Sequence, residues 1–177
     1  MSPPRPQDQA PDLDISLTTG KRWRLADQAP DQFTMIVFYR GLHCPVCKVY
    51  NQTLNRLVDA YAERGVETVA VSMDPEARAR QAKEKWELPA LDVGYGLTTD
   101  QARKWGLYLS EGIKEEEPDL FSEPGLFLVR PDGTLYYGAV NSMPFGRPDL
   151  EQLLDALDFI DQHDYPPRGE APPAAVA

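Results

Sequence analysis

Several things are scarce in this chain, and each scarcity excludes something. Two cysteines in 177 residues cannot build the cross-linked framework of a small secreted scaffold. The only histidines are His43 and His163, and His43 adjoins Cys44 too closely to chelate comfortably beside it. A zinc site wants about four ligands, so no metal is expected. Positive charge is short as well: 18 Lys and Arg stand against 28 Asp and Glu, a formal net charge of -10. That is the wrong sign for a nucleic-acid or anionic-membrane surface. No apolar run approaches the roughly 18 residues of a membrane span. The opening residues, MSPPRPQDQAPD, lack the apolar stretch of a secretory signal. A cytoplasmic, reducing setting is the expectation.

What the chain does have is a cysteine pair at a reactive address. Residues 37–50 read VFYRGLHCPVCKVY, with Pro45 and Val46 between Cys44 and Cys47. The apolar run over residues 33–39 suits a buried strand. After the cysteines, Val49, Tyr50, Leu54, Leu57, Val58 and Tyr61 recur at helical spacing. The pair therefore falls where a strand ends and a helix begins. Unpaired N–H groups and the positive end of the helix dipole favour a thiolate there, and the thiolate is the nucleophile. Pro45 suits the first helical position. Cys44 is then expected at the N-cap with a depressed pKa, and Cys47 about one turn on, deeper and able to close a disulfide. Arg40, His43 and Lys48 are expected to add positive or potentially positive groups that push the same way.

The remainder reads as one domain over residues 12–165, with mobile tails over residues 1–11 and 166–177. A hairpin is expected around residues 14–25, with Trp23 packing on the core. Residues 33–39, a helix to about Arg64, Gly65 as its stop and a strand over residues 66–71 make a βαβ unit. Asp74 and Pro75 are expected to cap a second helix. A short segment over residues 93–97 and a helix over residues 99–105 follow. Residues 114–119, KEEEPD, read as a solvated loop. Residues 126–129 and 135–140 form a hairpin through Pro131-Asp132-Gly133. Arg147-Pro148-Asp149 opens a last helix with an apolar stripe of Leu150, Leu153, Leu154, Leu157 and Ile160. Trp86, Trp105 and Tyr108 are expected to pack. The class is α/β, a mixed sheet with helices on both faces.

A CxxC at a strand-to-helix junction inside a βαβ unit reads as a thioredoxin-like redox motif. Four stretches extend this: FYRGLHCPVC, VAVSMDPEARARQAKEKWELP, LTTDQARKWGL and EPGLFLVRPDGTLYYG. In this order the chain resembles peroxiredoxins and the alkyl hydroperoxide reductase/thiol-specific antioxidant family, a branch of the thioredoxin fold. The resemblance implies a thiol-dependent oxidoreductase of disulfides or peroxides that works through a reversible Cys44–Cys47 disulfide. It implies a thiol electron donor such as a thioredoxin or a small thiol, no cofactor, and leaves a homodimer open. Laid on the peroxiredoxin pattern, the attacking cysteine falls on Cys47, its threonine on Cys44 and its proline on Arg40. Laid on thioredoxin, Cys44 attacks and Cys47 resolves; with the proline and threonine missing, this second assignment is preferred. Arg40 and His43 are candidate thiolate or peroxide partners. The resemblance also implies a cis bond before Pro124, holding the Glu123 backbone beside the cysteines for an extended substrate. A redox sensor or scaffold without turnover stays open, because a fold does not fix an activity.

Overall fold

The computed structural model describes residues 3–172. Its centre is a seven-stranded mixed sheet in the order β2-β1-β5-β4-β3-β8-β9. The strands are β1 (Asp14–Leu17), β2 (Arg22–Arg24), β3 (Phe33–Phe38), β4 (Val66–Val71), β5 (Asp92–Tyr95), β8 (Gly125–Val129) and β9 (Leu135–Val140). Between β5 and β8 in the chain, β6 (Leu109–Glu111) and β7 (Leu120–Ser122) form a separate two-stranded arm. The helices are α1 (Pro45–Glu63), α2 (Glu76–Lys85), α3 (Thr99–Lys104) and α4 (Leu150–His163).

Strand β3 lies in the middle, parallel to β4 and antiparallel to β8. All six of its residues are buried, as expected of a strand covered on both faces. Alternation along it assigns the two cores. Met35, Val37 and Tyr39 face one layer, with both cysteines, Leu54 and Tyr61 of α1 and Leu150, Leu154 and Leu157 of α4. Ile36 and Phe38 face the other, with Trp23, Trp105 and Phe127. The expected stripe of the last helix is thus buried at its centre and partly buried at Leu153 and Ile160. Tyr61 ties the two helices together: its hydroxyl donates to the Leu150 carbonyl at 2.6 Å. Gly65 ends α1 with φ +73°, the left-handed conformation a C′ glycine supplies without strain.

Four expectations give way. Residues 7–10 are not a loose tail but lie along the start of β9. Gln7 N–H donates to Leu135 O at 2.7 Å, Leu135 N–H to Asp8 O at 2.9 Å and Ala10 N–H to Gly133 O at 2.9 Å. Composition counts apolar side chains; this segment is held by backbone groups that an open sheet edge offers. At the other end the Tyr136 hydroxyl donates to Tyr165 O at 2.7 Å and Pro167 is buried, while residues 173–177 of the expected tail lie outside the described residues. Asp74 does not cap α2, whose N-cap is Pro75; its carboxylate turns back to the cysteine loop. Tyr108 does not pack but stands 57% exposed. The acidic loop, by contrast, is largely exposed as expected, and it connects β6 and β7, strands too short to leave a periodic signal.

Candidate active site

The site is built where β3 ends. Arg40 and Gly41 leave the strand, Cys44 takes the N-cap of α1 and Pro45 the first turn. Cys44 Sγ accepts the Cys47 N–H at 3.1 Å, so the sulfur satisfies one of the four N–H groups a helix start leaves unpaired. Both cysteines are free thiols. They are 1% and 0% exposed respectively. The hydrogen bond from Cys47, then the Arg40 charge, pull the Cys44 pKa down to about 7 against the opposing effect of burial. Cys47 moves the other way: its S–H serves Cys44, and burial disfavours its own thiolate. The environment thus separates two identical groups into a thiolate and a thiol. Since the Cys44 acid form is neutral and unreactive, thiolate-dependent reactivity should rise with pH and reach half its maximum near 7. An ordinary thiol would do so near about 8.5. A pH series of the first-turnover oxidation rate checks this.

The loop before Cys44 is pinned by Asp74. Its carboxylate, fully buried, accepts the Leu42 N–H at 2.7 Å and the Arg78 Nε–H at 3.0 Å. Gly41 makes this approach feasible: at φ +132° it has no Cβ, where one would lie 2.7 Å from Asp74 Oδ2.

Among the expected site residues, the structure gathers Cys44, Cys47, Arg40, His43 and the Glu123 side chain. Pro45 flanks them on the helix. Arg40 is 18% exposed in its side chain, with Nε 3.3 Å from Glu123 Oε2 and Nη2 3.8 Å from Glu117 Oε1. Its guanidinium also lies 4.6 Å from the centre of the Phe121 ring. His43 packs on the same ring at 4.7 Å. Burial, then the Arg40 charge, depress the His43 pKa, which disfavours the positive form of the imidazole beside Arg40. Two further corrections concern Glu123 and Pro124. No cis peptide bond occurs among the described residues, so Pro124 follows a trans bond. The Glu123 N–H is spent on Tyr108 O at 2.8 Å and Pro124 O accepts from Asn141 N–H at 2.9 Å. The arm thus takes the Glu123 N–H that an extended substrate would have used, while the Glu123 carboxylate turns toward Arg40.

Arg147 was hidden in what reads as a helix start. Its guanidinium stacks 3.6 Å from the centre of the Tyr50 ring, and Nη2 points to Phe38 O at 3.4 Å. Its charge favours a Cys47 thiolate, as does the backbone N–H of Arg40. The Tyr50 hydroxyl is anchored on Pro148 O at 2.6 Å, which fixes the ring beneath the guanidinium. Asn51, one turn beyond Cys47, is fully buried with neither amide atom bonded. Tyr39 Oη, His43 Nδ1 and Nε2, and Arg147 Nη1 are likewise buried without a partner. Among the described residues no group of three or more His, Cys, Asp or Glu is placed to hold a metal, and no helix is long and apolar enough to cross a membrane.

A thiolate–thiol pair at the end of the central strand of a thioredoxin-like sheet defines a thiol-dependent oxidoreductase. The AhpC/TSA family model matches residues 6–138, and the chain belongs to that family. A protein of Pyropia yezoensis described as "Putative peroxiredoxin ycf42" is 26% identical over 149 residues, covering 81% of this chain and 71% of that one. The fold is similar to a peroxiredoxin-like protein from Aquifex aeolicus at TM-score 0.73, 17% identity and 90% of both chains. It is also similar to the peroxidoxin BcpB from Mycobacterium tuberculosis, at TM-score 0.70 and 18% identity, covering 89% of this chain and 98% of that one. The expected fold and enzyme class hold.

Proposed function

We propose that the protein reduces small peroxides, with Cys44 attacking and Cys47 resolving. The observation that carries the choice of substrate is burial. With 1% and 0% exposure, neither cysteine offers a bulky protein disulfide an approach, whereas a peroxide is small. Cys44 thiolate attacks one peroxide oxygen and the O–O bond breaks. The sulfur becomes a sulfenic acid and the leaving alkoxide or hydroxide takes a proton. The Cys47 thiol, one turn away, attacks the Cys44 sulfur. An S–S bond forms, and the departing hydroxide leaves as water with the thiol proton. One peroxide is reduced and two thiols are oxidised. Small thiols, the donor class that the same burial admits, return the pair to the reduced form by exchange. A reducing compartment such as the cytoplasm suits that cycle.

A second reading has its own support. A Cys47 thiolate would lie near the Arg147 charge and the Arg40 backbone amide, and the peroxiredoxin pattern puts attack at that position.

Stopped-flow oxidation of the reduced protein, followed by tryptophan fluorescence, tests the substrate class. Hydrogen peroxide should react well above the rate of a free thiol with the same thiolate fraction, and a protein disulfide should not. The reverse order would overturn the peroxidase reading in favour of disulfide exchange. Oxidation that stops after one turnover with excess dithiothreitol would favour a sensor.

A further inference from the structure

The arm formed by β6 and β7 brings two carboxylates to one guanidinium, that of Arg40 in the loop that carries Cys44. Glu123, at the foot of β7, is 3% exposed, an unusual location for a carboxylate. Its Oε1 accepts the Ser110 hydroxyl from β6 at 2.6 Å. Its Oε2 lies 3.3 Å from Arg40 Nε, yet neither atom has an aligned hydrogen-bond partner. Glu117, in the loop of the arm, has a side chain 7% exposed and reaches Arg40 from another direction at 3.8 Å. Its second oxygen is held by the Ile113 N–H at 2.8 Å. Phe121, on β7, supplies the ring that Arg40 and His43 share. Thus one small arm fixes Arg40 by charge on two sides and by an aromatic face.

A purely structural role explains this poorly. Burying an ion pair costs desolvation about equal to what attraction returns, so such a pair contributes little net stability. What it does fix is position, and Arg40 is the guanidinium whose charge acts on Cys44.

We propose that Glu123 is a positioning residue: the arm's carboxylate holds the Arg40 guanidinium against the Cys44 sulfur. The inference rests on the reading of Cys44 as the attacking thiolate. Glu123 therefore acts through Arg40 and touches no reacting atom. Its removal has a diagnostic sign. As a bare negative charge near the site, Glu123 would disfavour the thiolate, and removing it would lower the Cys44 pKa. As a holder of Arg40, its removal lets the guanidinium swing toward Glu117 and solvent, and the Cys44 pKa rises. The other charged and titratable groups around this cluster are Cys47, His43, Asp74 and Arg78; none changes in the comparison below except Cys47, which is replaced throughout.

The experiment follows thiolate absorbance against pH in a Cys47→Ser background, where serine keeps a hydroxyl donor and Cys44 is the single thiol. The Cys47→Ser parent sets the reference half-point, expected below that of an ordinary thiol because the backbone N–H of residue 47 and Arg40 still act on Cys44. Adding Glu123→Gln, close to isosteric, should raise the half-point by roughly one unit. Arg40→Met should raise it similarly, and the double change should add nothing to Arg40→Met alone. Ser110→Ala, which frees one Glu123 oxygen and keeps the fold if Glu123→Gln does not, should raise it by less. A half-point that falls or stays put in these Glu123 and Ser110 variants would overturn the inference while leaving Cys44 as the attacking thiolate. A parent that titrates like an ordinary thiol, near about 8.5, would take both down together.

Discussion

Replacing Cys44 by serine should stop peroxide turnover, lowering it by roughly 10³-fold or more, because the hydroxyl is not ionised and the nucleophile is lost. Replacing Cys47 should do something different. The first step, oxidation of Cys44 by one equivalent of peroxide, should persist, and a sulfenic acid should accumulate where the disulfide would have formed. Cys47→Ser also removes the S–H that serves the Cys44 thiolate, though serine supplies a hydroxyl in its place and the backbone N–H of residue 47, which donates to Cys44 Sγ, survives the change. The rate of that first step should therefore fall only modestly. Rapid-mix kinetics on both variants, with intact mass after each mixing time, read the two steps apart. Equal loss of the first step in both would mean that neither sulfur acts without the other.

The second large effect lies outside the sulfurs. Gly41→Ala should destabilise the protein by about 2–4 kcal/mol, through a left-handed backbone and a steric clash together. The new Cβ would stand 2.7 and 2.8 Å from the two Asp74 oxygens, at φ +132°. That carboxylate cannot withdraw freely, because Leu42 N–H and Arg78 hold it at 2.7 and 3.0 Å. For a chain of this size the melting temperature should fall by roughly 5–15 °C. Peroxide oxidation should slow as well, since the same loop delivers Cys44 to the helix start. Gly96→Ala is the control. It shares a positive φ of +73° but meets nothing within 4 Å, and should cost about 1–2 kcal/mol. Thermal melts of the two variants side by side check the contrast; equal losses would assign the whole effect to backbone conformation and none to Asp74.

Local signals in the sequence reached far. The strand, cap, proline and apolar stripe around Cys44 and Cys47 are all decided by neighbours in the chain, and the helix start formed where they pointed. The same holds for Gly65, the expected stop of α1. What stayed hidden was long-range. Asp74 looks like a helix cap in its own context, and only the fold brings Leu42 to it, a better use of a buried carboxylate than a helix end with Pro75 already in place. Arg147 sits in an Arg-Pro-Asp run that reads as a boundary, and nothing nearby announces that Tyr50 and Phe38 will meet it. Glu123 was noticed for its backbone, through the neighbouring proline, while its side chain does the pairing. The burial of His43, which depresses its pKa, was not legible because adjacency to Cys44 says nothing about burial. The N-terminal segment was misread for a similar reason: its partners are backbone atoms of β9, which composition does not see.

The most direct test of the assignment is to find the first sulfur oxidised. Reduced wild-type protein would be mixed with less than one equivalent of hydrogen peroxide in the presence of a sulfenic-acid trap, then digested and mapped by mass. The trap is expected on Cys44, with the remaining oxidised protein carrying the Cys44–Cys47 disulfide. A trap found on Cys47, with Cys44 unmodified, would contradict the assignment and make the sulfur near Arg147 the one that attacks.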